Sequence, residues 1–435
     1  MIKMKESGFG WIGKIPQHWS MARVKWSFDR KNEKAMQDEP IVLSLARSGV
    51  RVRDITNNEG QLAESYYNYN PVEPGDLLIN PMDLYSGANC SISKVSGVIS
   101  PAYINLKAKE NINPVFYDYY FKVQYWMMAF FSYGKGVSFE NRWTLNTETL
   151  INYPIVNLPY AEQCSRANYL NEKCAKIDAI IEKQQAVIEK LKEYKLSVIT
   201  EAVTKGLNPD VEMRESGDFF IGKIPAKWDV SKLGALFDFI GGYAFNSDLY
   251  VPESNNQVVR IGNVKNGYMP LESNPVYISD ETANSTSKFE ILPGCMLFTM
   301  TGTKGKRDYF FTHVVSETDC ANKRLFLNQR VGCFIPKETV DVGYYAYLLK
   351  DNRILDGIFM YETGTANQGN LGIDSIRRTK VQLPPKYEQI EIRKYLDEKC
   401  KQINNVITRR QSIIDKLIEY KKSLIYEVVT GKKEV

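Results

Sequence analysis

The strongest constraint on the fold is a long heptad-patterned stretch, Glu162–Gly206, that returns near the C-terminus. Its Tyr169-Leu170 recurs as Tyr395-Leu396, an offset of 395 − 169 = 226 residues. Apolar residues recur at intervals of three and four, with Glu, Lys and Gln between them. This pattern is typical of a helix packed lengthwise against another helix. The simplest interpretation is that the two copies are each other's coiled-coil partner.

The heptad pattern predicts which side chains form the seam between the two helices. The predicted seam residues are Ile177, Ile180, Gln184, Val187, Leu191, Tyr194, Val198, Ile403, Val406, Arg410, Ile413, Leu417, Tyr420 and Leu424. Two of them are polar and stand at equivalent positions, because 410 − 184 = 226. Polar seam residues can fix the register of a helix pair. In an antiparallel pair related by a pseudo-two-fold axis, we expect Gln184 and Arg410 to meet near the middle.

A second motif is also duplicated, at a different offset. Gly13-Lys-Ile-Pro-Gln-His-Trp19 recurs as Gly222-Lys-Ile-Pro-Ala-Lys-Trp228, after 228 − 19 = 209 residues. The second copy therefore carries 226 − 209 = 17 extra residues between this motif and its helix. We divide the chain into a motif (1–19), a globular segment (20–157), a helix (158–206), a linker with the second motif (207–228), a second globular segment (229–383) and a second helix (384–435).

The two globular segments are predicted to be α+β. In the first, Pro74-Gly75 suits a tight turn before the apolar strand Asp76–Ile79, and Val115–Phe131 is predicted to be helical. The second repeats this plan with different loops, and Tyr344-Tyr345 is aligned with Tyr119-Tyr120. Divergent loops on a shared scaffold suggest two binding surfaces with different targets.

The helix lengths predict an antiparallel, pseudo-two-fold circular arrangement. A helix of about 40 residues carries the chain roughly 60 Å at about 1.5 Å per residue, while the linker Leu207–Arg214 is short. We therefore expect Val203–Gly206 near Gly222–Trp228, and Val428–Lys432 beside Gly13–Trp19.

Composition excludes several classes of protein. Seven scattered cysteines form no Cys-x-x-Cys pair, which argues against zinc and disulfides and favours reduced thiols in a cytoplasm. The N-terminus is not apolar, and the longest apolar run is too short to span a membrane. A net charge of +5 is compatible with a local basic patch.

Catalytic motifs are not found. There are only two histidines, His18 and His313. Thr301–Lys306 lacks the spacing of a P-loop, and Asn80-Pro81-Met82-Asp83 is not the motif of an adenine methyltransferase. We predict no catalytic residue, no metal site and no cofactor in this chain.

The chain resembles the specificity (S) subunits, HsdS, of type I restriction–modification systems. The resemblance covers essentially the whole chain and rests on the Gly-x-Ile-Pro-x-x-Trp motifs and on the Glu162-Gln163 and Glu388-Gln389 helix starts. It implies two target-recognition domains, each of which reads half of a split double-stranded DNA site. The helices would set their spacing and dock two methylation (M) subunits, and restriction (R) subunits would join for defence against foreign DNA. S-adenosylmethionine, ATP and Mg are then expected on the partner subunits. Two alternatives remain, a stand-alone DNA methyltransferase or nuclease, and a coiled-coil scaffold with no DNA role.

Loop residues that could contact DNA are those with guanidinium, ammonium or amide groups. Arg and Lys suit guanine edges and phosphates, while Asn and Gln suit adenine. The candidates are Arg47, Arg51, Arg53, Lys135, Asn141 and Arg142 in the first domain, and Lys304, Lys306, Arg307, Asn367, Gln368 and Asn370 in the second.

Overall fold

The computed structural model describes residues 3–56, 63–85, 89–137, 143–365 and 367–435. The chain folds with mixed helix and strand content into two compact units. The first unit is formed by Met1–Gln185 with Arg410–Val435, and the second by Ala186–Arg409. Each unit therefore holds one globular segment and part of each long helix. Within the described ranges, no helix is both long enough and apolar enough to cross a membrane.

The first globular segment is built mainly from short antiparallel strands. They are β1 (Met4–Glu6), β2 (Lys14–Pro16), β3 (Ser20–Arg23), β4 (Phe28–Lys31), β5 (Leu43–Ala46), β6 (Gly49–Val52), β7 (Asn70–Val72), β8 (Leu77–Ile79), β9 (Cys90–Ile92), β10 (Gly97–Ile99), β11 (Ile104–Ala108) and β12 (Pro154–Asn157). Its helices are α1 (Val24–Ser27), α2 (Pro114–Trp126) and α3 (Thr147–Ile151), with a 3₁₀ turn at Phe131–Tyr133. A central sheet has the order β4-β11-β8-β9.

Helix α2 provides the aromatic core of this segment. It begins at Pro114 because the Asn113 side chain accepts a hydrogen bond from the Val115 amide at 2.9 Å, an N-cap followed by proline. Tyr117 and Tyr120 are completely buried and donate to backbone carbonyls of the β12 region. Tyr117 and Tyr120 are therefore core residues, while Tyr119 is half-buried.

The first long helix, α4 (Tyr160–Lys205), ends at Gly206, whose φ of +76° is favourable only for glycine. The second globular segment follows. Its strands are β13 (Met213–Glu215), β14 (Lys223–Pro225), β15 (Asp229–Lys232), β16 (Phe237–Gly241), β17 (Tyr250–Val251), β18 (Asn256–Val259), β19 (Tyr277–Ile278), β20 (Glu290–Ile291), β21 (Met296–Thr299), β22 (Thr301–Gly302), β23 (Thr312–Val314), β24 (Arg324–Leu327), β25 (Val331–Pro336), β26 (Thr363–Thr365), β27 (Gln368–Asn370) and β28 (Lys380–Leu383).

Its helices are α5 (Leu233–Leu236), α6 (Asp280–Ser285), α7 (Val342–Leu348), α8 (Asn352–Phe359) and α9 (Ile373–Arg378), before the second long helix α10 (Lys386–Val429). Single 3₁₀ turns lie at Ser247–Leu249, Ile261–Asn263 and Ser287–Phe289. The central sheet has the order β16-β25-β21-β23, and a second sheet has the order β17-β19-β18-β24-β20. The pairing of β16, β25, β21 and β23 follows the same antiparallel plan as β4, β11, β8 and β9.

In each unit, the tryptophan motif is hydrogen-bonded to the start of a long helix. In the first, the indole N–H of Trp19 donates to the Glu162 carboxylate at 3.1 Å. In the second, Trp228 donates to Glu388 at 2.7 Å. Both indoles are fully buried. The two repeated motifs are thus hydrogen-bonded partners within each copy of the repeat.

In the first unit, the long helices pack along a buried line. Arg410 donates to the side-chain amide oxygen of Gln184 at 2.8 Å, so the two residues meet as the sequence predicted. Lys421 pairs with Asp178 at 2.7 Å. A later residue of α4 therefore contacts an earlier residue of α10, so the two segments run antiparallel in this unit. In the second unit, Lys195 donates to Asn404 at 2.9 Å.

Six of the predicted seam positions are wrong. Ile180, Val187, Tyr194, Val406, Ile413 and Tyr420 are 37–58% exposed. The buried line runs one residue later, through Ile188 and Ile414, which are 5% and 2% exposed. Ile177, Ile403 and Leu424 are buried as predicted, and Gln184, Leu191, Val198, Arg410 and Leu417 are half-buried. In the structure, the next seam residue after Ile177 lies four positions later. The sequence predicted the residue three positions later, Ile180, whose side chain points outward.

The expected meetings between helix ends and tryptophan motifs are found within each unit. Trp19 belongs to the same buried cluster as Val428 and Val429. Trp228 belongs to the same cluster as Val203. The end of one long helix thus packs on the tryptophan that is bonded to the start of the other.

Candidate nucleic-acid interface

In the second unit, a small sheet gathers most of the predicted DNA-contacting residues. Strand β22 pairs with β27, and β27 pairs with β26. This places the loop after β22 beside the β26–β27 hairpin. Lys304, Lys306, Arg307, Asn367 and Gln368 are exposed on these two loops, and Asn370 is half-buried. The six residues therefore form one basic and amide-rich surface.

Contacts within this surface hold the basic loop in place. Lys304 donates from its ammonium group to the Gly364 carbonyl at 3.0 Å. The Glu362 carboxylate accepts hydrogen bonds from the Gly305 amide at 3.1 Å and from the Tyr309 hydroxyl at 2.6 Å. Burial, and then the bond to Glu362, raise the pKa of Tyr309, so its hydroxyl stays protonated. Arg307 forms an ion pair with Asp356.

The β26–β27 hairpin requires glycine at its tightest point. Gly364 has a φ of +120°, and a Cβ there would lie 2.0 Å from the Gln368 carbonyl oxygen. No L side chain fits this position without displacing the backbone. The hairpin thus presents Gln368 at a fixed place beside the basic loop.

In the first unit, three of the predicted arginines lie on or beside one hairpin. Arg47 lies at the turn between β5 and β6, and Arg51 follows on β6. Both are exposed, and Arg53 just after β6 is half-buried. The Asn89 side chain donates to the Ala46 carbonyl at 2.9 Å and so braces the turn.

Lys135 lies on a separate loop of the same unit. It is exposed and pairs through its backbone with Thr144. The Leu84 amide bonds to the Trp143 carbonyl at 3.1 Å, and Leu84 shares a cavity of about 800 Å³ with Arg47. Asn141 and Arg142 lie outside the described residues.

Both histidines are held by carboxylates of the scaffold. His18 lies 2.9 Å from Glu162, the partner of Trp19. His313 lies 3.0 Å from Asp319, which also accepts a bond from the Ser316 hydroxyl at 2.6 Å. In a Ser-His-Asp triad the histidine bridges the other two residues. Here the aspartate is the bridge, so the group has no activated nucleophile.

Across the described residues, no group of three or more His, Cys, Asp or Glu side chains is arranged to hold a metal ion. The seven cysteines are free thiols. Cys90 is completely buried beside Asp118, and burial raises the pKa of its thiol. A buried neutral thiol is unreactive.

The chain is similar to known proteins. Residues 225–413 match the family model of the type I restriction modification DNA specificity domain. The type I restriction enzyme MjaVIII specificity subunit of Methanocaldococcus jannaschii is 24% identical over 372 residues, which cover 83% of this chain and 81% of that protein. The chain is similar to specificity subunits of type I restriction–modification systems.

Solved structures share the fold of this chain. A chain from work on complex assembly and conformational transition of the type I R-M system superposes with a TM-score of 0.69, with 13% identity over 96% of this chain and 99% of that one. The HsdS subunit from Thermoanaerobacter tengcongensis superposes with a TM-score of 0.50, also with 13% identity, over 96% of this chain and 98% of that one.

Proposed function

We propose that this chain is the non-catalytic specificity subunit of a type I restriction–modification complex, and that each globular segment reads one half of a bipartite DNA site. The match of residues 225–413 to the DNA specificity domain is the observation that supports this most directly. The match includes the basic loop and the β26–β27 hairpin of the second segment.

The chemistry of the two surfaces suits duplex DNA. In the second segment, Lys304 and Lys306 can contact phosphates, while Gln368 and Asn367 can read adenine edges. In the first, the arginine hairpin offers Arg47 and Arg51, and guanidinium groups pair with guanine in two hydrogen bonds. The two surfaces present different side chains, so they would read different half-sites.

The long helices are proposed as the spacer and as the docking surface for two M subunits. We infer an internally duplicated chain with a pseudo-two-fold circular arrangement around an antiparallel coiled coil. Each long helix carries three exposed apolar residues off the seam at seven-residue spacing, such as Tyr194 on α4 and Ile413 on α10. Helices of a partner could cover this stripe on each helix. S-adenosylmethionine, ATP and Mg would be bound by the M and R subunits. A DNA-directed complex with reduced thiols would work in the cytoplasm.

An exchange of recognition domains tests this function. Replacing residues 20–157 by the first recognition domain of another family member should change one half of the methylated motif and leave the other half unchanged. The measurement is the set of methylated adenines across a genome that carries the M subunits. A change in both halves would contradict independent reading.

Assays of the purified chain distinguish the alternative functions. A stand-alone methyltransferase or nuclease would modify or cleave DNA without partners when given methyl donor or metal. The specificity subunit should do neither. A scaffold without a DNA role would leave the methylated motif unaltered after the domain exchange.

A further inference from the structure

A basic cavity in the second unit lies between the globular segment and the long helices. Its volume is about 490 Å³. Lys195 of α4, Asn404 of α10, Lys350 just after α7, and Arg307 of the basic loop all line it. The charges in this cavity and their counterparts in the first unit indicate what it binds.

Two of the three lysines of this cavity, Lys195 and Lys350, form no ion pair with a carboxylate among the described residues. The Lys195 ammonium donates to the neutral Asn404 side chain at 2.9 Å. The Lys350 ammonium lies 5.1 Å from the centre of the Tyr347 ring. Burial lowers the pKa of Lys350, and the charge of Lys195 lowers it further. Each ammonium group therefore raises the cost of charging the other.

The other charged groups around the cavity already have partners. Arg307 pairs with Asp356. Lys192 pairs with Glu189 at 2.8 Å. Asp397, on the facing side of α10, accepts bonds from the Tyr347 hydroxyl at 2.8 Å and from Arg393 at 3.2 Å. In the described part of the unit, Lys195 and Lys350 thus have no ion-pair partner of their own. The charge of Asp397 raises the pKa of Lys350, but its oxygens are bonded to Tyr347 and Arg393.

The same two lysines exist in the first unit, where both are neutralised. Lys421 is equivalent to Lys195, because 421 − 195 = 226, and it pairs with Asp178 at 2.7 Å. Lys122 is equivalent to Lys350, and it pairs with Asp118 at 2.6 Å.

The match between Lys122 and Lys350 follows from their neighbouring tyrosines. Tyr119 donates to Asn171, and Tyr347 donates to Asp397. These acceptors are equivalent, because 397 − 171 = 226. Each lysine follows its tyrosine by three residues, so the two lysines occupy the same place in the repeat.

The second unit has both lysines and neither acid. Asn404 stands at the position of Asp178, because 404 − 178 = 226. Ala346 stands at the position of Asp118, since Asp118 precedes Lys122 by four residues and Ala346 precedes Lys350 by four. Two ammonium groups facing a cavity without a carboxylate attract an anion from outside.

We propose that Lys195 and Lys350 bind a phosphate of the DNA backbone, next to the sequence-reading surface of the second recognition domain. Arg307 belongs both to this cavity and to the basic loop, so the two sites are continuous. This inference rests on the proposed function. The contact would add affinity and salt dependence to the second half-site without reading its bases.

The variant Asn404→Asp tests the proposal with a change of one charge and almost no change of shape. It recreates in the second unit the Lys421–Asp178 pair of the first. The matched control is Asn405→Asp, the exposed neighbour on the same helix, which changes the net charge equally. Lys350→Gln is the second variant, since it removes one of the two ammonium groups.

The measurement is the affinity of the S–M complex for a duplex with its bipartite site, across a series of salt concentrations without phosphate. Asn404→Asp and Lys350→Gln should each weaken binding several-fold and lower the slope of log affinity against log salt by about one. Asn405→Asp should match the wild type. The methylated motif should be the same in all variants.

Three outcomes would overturn the phosphate site. One is an equal salt slope for Asn404→Asp and Asn405→Asp. Another is weaker assembly with M subunits in place of weaker DNA binding, which would assign the cavity to an acidic protein surface. The third is that calorimetry shows binding of inorganic phosphate, which Asn404→Asp abolishes, while the slope of log DNA affinity against log salt stays unchanged. This result would assign the cavity to a free anion. A wild-type complex that binds no bipartite duplex would instead contradict the proposed function, and the phosphate site with it.

Discussion

Arg166 has no counterpart in the second repeat, where Ile392 stands at the equivalent position, 392 − 166 = 226. Its buried guanidinium stacks 4.8 Å from the centre of the Trp19 ring and pairs with Glu162 at 2.8 Å. It also donates to the Val428 and Lys433 carbonyls, each at 2.9 Å. One side chain therefore joins the tryptophan motif, the start of α4 and the end of α10 within the first unit.

Replacing this arginine should destabilise the first unit strongly. Arg166→Leu leaves the Glu162 carboxylate without its guanidinium partner and frees two carbonyls at a helix end, so we expect a loss of about 3–5 kcal/mol in the free energy of unfolding. Ile392→Val, at the equivalent place in the second repeat, should cost only about 0.5–1.5 kcal/mol. Urea denaturation of the two variants gives both values. Equal losses would show that Arg166 contributes no more than its packing.

Single residues were predictable from the repeat where both copies share an identity, and not where they differ. The tryptophans and the glutamates at the helix starts were found because they recur, although their hydrogen bond was not deduced. The alignment of Tyr119-Tyr120 with Tyr344-Tyr345 was wrong. The helix caps and tyrosine contacts align Tyr117 with Tyr345, since each donates to an equivalent carbonyl of the strand before a long helix. The short, aromatic-rich α2 and α7 offered several registers, and only the tertiary contacts distinguish them.

At the scale of the helices, the existence and length of α4 and α10 followed from sequence, but the seam did not follow completely. Adjacent apolar pairs such as Ile180-Ile181, Val187-Ile188 and Ile413-Ile414 fit a heptad at either of two phases. The hydrophobic pattern cannot choose between them, because both phases are apolar. The chosen phase buries Ile188 and Ile414 and leaves their neighbours exposed.

The adjacent isoleucines of α10 offer a test of the stripe proposed for M-subunit docking. Ile413 is 42% exposed and Ile414 is 2% exposed. Ile413→Glu should change the free energy of unfolding by only about 0.5 kcal/mol, yet weaken co-elution with the M subunits. Ile414→Glu buries a carboxylate without a partner and should destabilise the chain severely. Thermal unfolding and size-exclusion chromatography of the mixture separate the two effects. Normal M-subunit binding by Ile413→Glu would place the docking surface elsewhere.

At the scale of the whole chain, the two duplicated motifs and their offsets were sufficient to predict the order of segments and the meeting of each helix end with a tryptophan motif. The candidate DNA surface was predictable only as a set of loop residues. The pairing of β22 with β27 brings Lys304 and Gln368 together, although about 60 residues separate them in the sequence. A local sequence pattern does not predict such a long-range pairing. The lysine cavity was not predicted, because the sequence feature that marks it is a difference between the copies: the second copy lacks two acidic residues that the first copy has.

The proposed role of the helices as a spacer predicts how helix length should affect the recognised DNA. A matched insertion of seven residues in both helices, next to Gln184 and Arg410, keeps the heptad phase of the pair. It lengthens each helix by about 10 Å at about 1.5 Å per residue. Since duplex DNA rises about 3.4 Å per base pair, the non-specific spacer between half-sites should grow by roughly three base pairs. Both half-site sequences should stay as they are, because neither recognition surface is altered.

The methylated motif of the lengthened variant, read from a genome that carries it with its M subunits, decides the question. The control is the same insertion in α4 alone, which removes the partner of each inserted seam residue and should abolish methylation. The added base pairs also rotate one half-site by roughly 100° relative to the other, since about 10–10.5 pairs make one turn. Activity of the matched variant therefore requires the recognition domains to turn with the helices that carry them. An active matched variant with an unchanged spacer would show that the M subunits, and not these helices, set the distance between the half-sites.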